Sequence, residues 1–252
     1  NGERLRAAAD EIRTIAPDAE VEPIVVDLSS LAETRRLAEQ VRANHDRLHV
    51  LINNAGVIRM DRRTTVDGLE ETFVINHLSH FLLSSQLLDL LRSSAPARIM
   101  NVSSATHKGA TLDFDDLQGE RSYGGYLAYR RSKLANILFT YELARRLEGT
   151  GVTVNCLHPG AVATRFASGN RGVLGRLLRF GYIVGKPVMR SAAKGAETSI
   201  YLATSPDVEG VTGQYFENCR PAESSRQSYD EEAARKLWAI SEQLVGGDRK
   251  AP

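Results

Sequence analysis

Val50-Leu51-Ile52-Asn53-Asn54-Ala55-Gly56 is the stretch that decides the fold. Three apolar residues in succession, without polar alternation, read as a strand covered on both faces. The amides and the glycine that follow read as a strand end where backbone can come close to a ligand. The same plan recurs downstream. Arg98–Val102 runs into Ser103-Ser104, and Val152–Leu157 runs through His158 into Pro159-Gly160.

Helical patterns separate these strands. Glu3–Ala16 is helical with Leu5, Ala8, Ala9 and Ile12 on one face. Val21–Asp27 reads as a strand. Ser30, with Glu33 three residues on, caps a helix that runs to about Asn44. Leu48–Ile52 is a strand and Asp67 to about Leu91 a long, bent helix. Gly125–Leu147 and Ser191–Ala203 are further helices, and Gly213–Phe216 is a last strand. Near-continuous apolar strands alternating with helices predict an α/β fold, a parallel sheet covered on both faces in three α/β/α layers.

The 252 residues suit a single domain. A formal net charge of +1 argues against nucleic-acid binding and electrostatic membrane docking. Cys156 and Cys219 lack motif spacing and read as free thiols in a reducing compartment, which makes a cytoplasmic location the expectation. No apolar run approaches the roughly 20 residues that span a bilayer, and the N-terminus does not read as a signal peptide. The six His residues show no metal spacing; His77 and His80 read as core or surface residues, and no metal is expected.

Tyr129 and Lys133 carry the chemistry. Four residues apart on a helix, they share a face. An ammonium beside a phenol favours the phenolate and lowers the Tyr pKa from about 10. The pair is then a general acid/base for an alcohol or carbonyl oxygen. Alone, the spacing occurs by chance on exposed helices. Its company is informative: Asn53-Asn54-Ala55-Gly56, Asn76 in Phe73-Val-Ile-Asn-His77, Ser104 after Ile99-Met-Asn-Val-Ser103, and Pro159-Gly160-Ala-Val162-Ala-Thr164.

In this order the blocks resemble the short-chain dehydrogenase/reductase family, from near residue 3 to near residue 246. Ser132-Lys-Leu-Ala-Asn136, Gly213-Gln-Tyr-Phe-Glu-Asn-Cys219 and Lys236-Leu-Trp-Ala-Ile-Ser-Glu242 look like its retinol-dehydrogenase-like branch. The resemblance implies a Rossmann-like doubly wound sheet. It implies hydride transfer between NADP(H), or alternatively NAD(H), and a lipophilic carbonyl/alcohol pair. Asn76, Ser104, Tyr129 and Lys133 would be the catalytic set. Tyr129 would exchange the proton and also contact the cofactor, Lys133 also hold the nicotinamide ribose, Ser104 hold the substrate oxygen, with Ser103 as the neighbouring candidate, and Asn76 hold a relay water. Asp27 would meet the adenine end, or merely cap the turn at Ser29-Ser30. Asn53, Ala55 and Gly56 would approach the nucleotide, although the amides can equally tie loops together. Pro159 and Gly160 would turn the chain under the nicotinamide, Val162 offer backbone groups to the carboxamide, and Thr164 a hydroxyl to the phosphates. His107 could line the pocket. The 25-residue separation between Ser104 and Tyr129, containing Leu112–Leu117, and the apolar Val173–Val184 stretch would shape substrate choice. Homodimers or homotetramers are what the family suggests.

One expected part is not among these residues. A fold of this type begins with a strand, a Gly-rich turn and a helix, and no Gly-rich fingerprint precedes Asp27. The expectation is a single domain over 1–252 lacking the first strand-helix-strand unit. Its strand 21–26 would either collapse onto strand 48–52, itself an edge, or leave the chain prone to aggregation. Two rival readings follow. The chain could be catalytically inactive and serve as an interaction module. It could instead be a nucleotide-sugar epimerase of the extended family, against which Asn53–Gly56 and the short C-terminal region argue.

Overall fold

The computed structural model describes residues 2–162 and 190–246. Its centre is a five-stranded sheet in the order β1 (Val50–Asn53), β2 (Ala97–Val102), β3 (Val152–His158), β4 (Tyr215–Glu217) and β5 (Arg220–Ala222). The first three interfaces are parallel, and β4–β5 is antiparallel. The hairpin joining β4 and β5 places Asn218 and Cys219 at φ 54° and 59°, the left-handed region that a tight two-residue turn demands.

Eight helices surround the sheet among the described residues: α1 (Gly2–Ile15), α2 (Leu31–Asn44), α3 (Glu71–Phe73), α4 (Ser79–Gln86), α5 (Leu88–Ser93), α6 (Gly125–Arg146), α7 (Ala192–Thr204) and α8 (Glu231–Gly246). Both sheet faces are buried, as the unalternated strands require. Ile99, Val152 and Val154 enter one core with Leu31 and Ala38 of α2, Phe81 and Leu82 of α4, Leu134 and Leu138 of α6, and Leu237 and Trp238 of α8. Met100, Val102, Leu157 and Phe216 face the other way, onto Leu202 of α7 and Val208. The three α/β/α layers are therefore present.

Three expectations need correction. Val21–Asp27 is not a strand, and it does not collapse onto β1. It runs irregularly beside the helices, held by Arg13 Nη2 donating to Val21 O at 2.8 Å and by Glu22 facing His45 at 3.0 Å. A strand is made by its neighbour, and among the described residues none lies beside this segment. β1 does form an edge, with Ile52 42% exposed. The apolar face of α1 is largely uncovered: of Leu5, Ala8, Ala9 and Ile12 only Ala9 is buried. The long helix expected from Asp67 starts at Glu71. There the Glu70 carboxylate accepts from the Thr72 and Phe73 N–H groups at 2.9 and 2.7 Å, a cap that satisfies two orphan donors. The helix is bent as expected, by a π turn over Val74–Leu78 and a break at Leu87.

α6 starts where it does because Gly125 lies against the backbone of the Arg59–Met60 loop. A Cβ there would meet Arg59 O at 2.2 Å and Met60 Cα at 2.5 Å. Gly125→Ala is expected to destabilise the fold by about 1–3 kcal/mol, the range for overpacking a closed contact. Thermal denaturation would read this as a fall of roughly 2–4 °C per kcal/mol, and an unchanged melting point would reject the contact.

Candidate active site

The candidate catalytic residues converge at the carboxyl ends of β1, β2 and β3, where ligands bind in open parallel sheets. Beneath them runs a ladder of amides. Asn53 Nδ2 lies 2.9 Å from Ser84 Oγ and 2.8 Å from Asn101 Oδ1. Asn101 Nδ2 donates to Thr140 Oγ1 at 2.9 Å, Thr140 Oγ1 donates to Asn136 O at 2.7 Å, and Asn136 Nδ2 donates to Val102 O at 3.3 Å. Asn53 is thus an interior tie between β1, β2 and α4. Its amide donor is spent inside the protein, as in the loop-tying alternative.

Lys133, on α6, is buried (3% exposed), and its Nζ donates to Val102 O at 3.0 Å. Burial pulls its pKa from 10.5 down to about 8. The ammonium lies 5.8 Å from the Tyr129 ring centroid. The Ser104 side chain faces the Tyr129 phenol and acts on it. The Tyr129 pKa is raised, not lowered: burial is the largest cause, the Ser104 side chain opposes it, and Tyr126 adds to it. The expectation that Lys133 lowers the phenol pKa is therefore not met here, since the ammonium is turned to a carbonyl and burial dominates.

Ser103 and Ser104 separate cleanly. Ser103 Oγ donates to Lys133 O at 2.8 Å inside the protein, whereas Ser104 faces Tyr129 and opens a short 3-10 turn over Ala105–His107. Ser104 is the member of the pair that a substrate oxygen could share.

Asn76 sits within the π turn, a local widening frequent at functional sites. Its Oδ1 accepts from Val57 N at 2.8 Å, and its Nδ2 donates to Val57 O and Ser132 Oγ, both at 2.9 Å. The side chain clamps the loop after β1 to α6. Gly56 lies in that loop, and a Cβ on it would stand 3.3 Å from Lys133 Nζ and 3.6 Å from Asn76 Oδ1. Lys133, Asn76 and the side-chain-free Gly56 thus stand together, and these are the residues that would hold the ribose end of a nicotinamide nucleotide. Ala55 lies in the same loop, half-buried.

The remaining predicted contacts lie on other segments. Asp27 is exposed and folds onto its own turn: Oδ1 accepts from Ser29 N at 2.9 Å and Ser29 Oγ at 2.7 Å, and these bonds hold its pKa below the usual value. That is the turn alternative. Pro159 follows β3, and Gly160 has φ +86° where a Cβ would meet the Arg190 side chain at 2.6 Å. Ala161 O accepts from Arg190 N at 2.8 Å, Val162 bridges Arg190, and the Val162 side chain packs onto Gly195 at the start of α7. Thr164 and the Val173–Val184 stretch lie outside the described residues. In the insert before Tyr129, Leu112 and Phe114 pack on the core, and Asp116 accepts from the N–H groups of Glu120, Arg121 and Ser122. That part of the insert is built to close on itself.

His77 and His80 are core residues. Burial depresses them to about 4 and about 3, with the Lys133 charge also acting on His80. No cluster able to hold a metal ion occurs among the described residues. His107 is fully buried rather than lining an open pocket.

The family profile described as short chain dehydrogenase matches residues 1–172. Retinol dehydrogenase 14 of Homo sapiens is 50% identical over 229 residues, covering 88% of this chain and 66% of that protein. Retinol dehydrogenase 12 of Mus musculus is 42% identical over 240 residues, covering 95% and 74%. The chain thus spans about two thirds to three quarters of the length of these relatives. A crystal structure of a protein from Mycobacterium Paratuberculosis superposes with a TM-score of 0.74 at 31% identity, covering 98% of this chain and 83% of the other. The Pseudomonas aeruginosa RhlG/NADP active-site complex superposes at 0.61 with 27% identity, covering 84% and 80%. With its candidate site residues gathered at one end of a parallel sheet and this profile across two thirds of its length, the chain belongs to the short-chain dehydrogenase family.

Proposed function

We propose that this chain is an oxidoreductase that moves a hydride between NADP(H) and a lipophilic carbonyl/alcohol pair of the retinaldehyde/retinol type. One arrangement carries the reading: the Ser104 side chain faces the Tyr129 phenol, and Lys133, one helical turn along the same face, holds its ammonium 5.8 Å from the phenol ring centroid. When bound, the nicotinamide gives hydride to the carbonyl carbon or takes it from the alcohol. The chain's own residues do the rest. In reduction, the Tyr129 phenol gives its proton to the carbonyl oxygen as negative charge develops there. Ser104 holds that oxygen beside the phenol. The buried Lys133 ammonium opposes the negative charge left on Tyr129. Asn76 keeps the Gly56 loop against Lys133, so the ribose cradle stays open. A phenol pKa raised by burial keeps Tyr129 protonated at neutral pH, which suits the reducing direction.

The retinoid substrate class rests on the names of the relatives, and NADP(H) over NAD(H) on the branch resemblance and the RhlG/NADP complex. A reducing compartment rests on the two free thiols. Fluorescence titration of NADPH and then NADH, followed by retinaldehyde reduction, tests the reading. The expected result is saturable binding, tighter for NADPH, with turnover, and binding abolished by Gly56→Val, whose side chain would fill the cradle. Absence of binding to either nucleotide by a folded chain would favour the interaction-module alternative.

A further inference from the structure

The catalytic Ser104 is held at its backbone, by a residue the reaction does not touch. Ser104 ends β2 extended, with φ −157° and ψ 151°. Its carbonyl oxygen lies 2.6 Å from His107 Nδ1, and His107 Nε2 lies 3.0 Å from the backbone N of Ser225. A backbone N–H can only donate, so Nε2 is the acceptor. The ring proton must therefore sit on Nδ1, donating to Ser104 O. The geometry assigns the tautomer without reference to any ligand.

The surroundings support a neutral ring in one orientation. The imidazole is fully buried and lies 5.2 Å from the Tyr215 ring of β4. Charge reaches it from two elements, Lys108 on its own loop and Glu217 on β4, and His107 in turn acts on His158 at the end of β3. Burial is the largest cause and lowers the His107 pKa. Protonation would place a second donor against the Ser225 N–H and break that bond.

The far end of the tie is also anchored. Ser224 Oγ lies 2.7 Å from Tyr141 OH of α6 and 2.6 Å from Ser228 Oγ, and Tyr229 OH accepts from Ser224 N at 3.1 Å. The Tyr229 ring stacks on Tyr141 at 5.5 Å. On the other side of the Ser104 loop, Arg130, next to Tyr129, donates to Thr106 O at 3.1 Å and Lys108 O at 2.9 Å. The loop is gripped from the C-terminal strap by His107 and from the catalytic helix by Arg130.

We propose that His107 is a positioning residue that sets the Ser104 hydroxyl against Tyr129 by tying the Ser104 carbonyl to the strap at Ser224–Tyr229. This rests on the oxidoreductase reading above. Two isosteres divide the two bonds. Asn at 107 places an amide N where Nδ1 stands and keeps the donation to Ser104 O. Gln reaches the Nε2 position and keeps the Ser225 contact instead. In the full chain, with NADPH and retinaldehyde as probes, H107A and H107Q are expected to lose about 10-fold or more in kcat with KM for NADPH nearly unchanged. H107N is expected to recover most of that loss, although it too melts below the native chain. Misplacement of a catalytic group by about 1 Å can cost 10²-fold, so the effect is measurable. Equal kcat losses in H107N and H107Q would overturn the proposal and leave His107 structural. Side-chain 15N spectra provide a readout independent of turnover: a protonated Nδ1 and an unprotonated Nε2 are expected, and the reverse tautomer or a charged ring at neutral pH would overturn the clamp. A native chain with the expected tautomer and no turnover on any carbonyl would instead sink the oxidoreductase reading.

Discussion

Tyr129→Phe is expected to abolish nearly all turnover while leaving the fold and nucleotide affinity close to native. The substitution removes one oxygen and keeps the ring in its place on α6. What is lost is the proton given to the carbonyl oxygen and the hydroxyl that faces the Ser104 side chain. A positioned general acid contributes about 10²–10⁴-fold, and Ser104 cannot replace it, because its own hydroxyl is a far weaker acid held by the same loop. The residues proposed to hold the ribose are Gly56, Asn76 and Lys133, none of which the substitution alters. The decisive comparison is kcat against the NADPH dissociation constant. Turnover retained to within a few fold would assign the proton to another group; weakened NADPH binding with normal chemistry would place Tyr129 in the cofactor site instead.

Lys133→Met is expected to separate stability from activity in opposite directions. Lys133 bears its charge inside the protein, and the folded-state pKa of about 8 lies below the ordinary 10.5. The folded chain therefore holds this proton less tightly than the unfolded chain does. Below pH 8 both states are protonated and the full cost is present. As pH rises from about 8 to 10.5 the folded state releases its proton first, and the cost is relieved. At 1.36 kcal/mol per pKa unit, the cost at neutral pH is about 3 kcal/mol. Met has similar length and no charge, and Val102 O keeps a second donor in Asn136 Nδ2 at 3.3 Å. Denaturant unfolding at pH 7 should show a gain of up to about 3 kcal/mol that shrinks as the pH is raised through 8. Activity should fall by about 10²-fold or more, the scale for removing one stabilising charge donor from a transition state. A destabilised variant at pH 7 would mean that Lys133 contributes more through its hydrogen bond than burial takes away.

Much of this was legible in sequence because it depends on local rules. Unalternated apolar runs at 50–52, 98–102 and 152–157 became buried parallel strands, and Ser30 capped its helix through Glu33 N as its spacing implies. What failed depended on neighbours. Val21–Asp27 has strand composition, yet composition does not supply a pairing partner. The face of α1 has helical periodicity, yet nothing described lies over Ile12, which is 47% exposed. The hairpin strand Arg220–Ala222 and the helix Glu231–Gly246 were not anticipated as elements, although Leu237, Trp238, Ser241 and Val245 recur at helical spacing and are buried.

The site shows the same division. Residue types that carry chemistry were visible, and the family resemblance favoured Ser104 over its neighbour; the physical reason, that Ser103 Oγ is spent on Lys133 O, needed the fold. Asn53 and Asn76 looked like ligand contacts because amides at strand ends and in helices ask for an explanation; in the fold each spends its donors on neighbouring protein. The π turn at Val74–Leu78 has no composition signature, and the role of His107 needed both ring nitrogens to be placed.

The amide ladder from Asn53 through Asn101 and Thr140 to Asn136 has a consequence for how the chain finds its alignment. Apolar side chains tolerate sliding past one another, because one methyl contact substitutes for another. Amides do not, since each needs a partner of matching polarity at one height. A slip of one residue between β1 and β2 would turn Asn53 and Asn101 to opposite faces and bury both without partners, at about 1–3 kcal/mol for each group left unsatisfied. The ladder therefore works as a vernier: it sets the relative heights of the strand ends, and so of Gly56 and Ser104, before any substrate arrives.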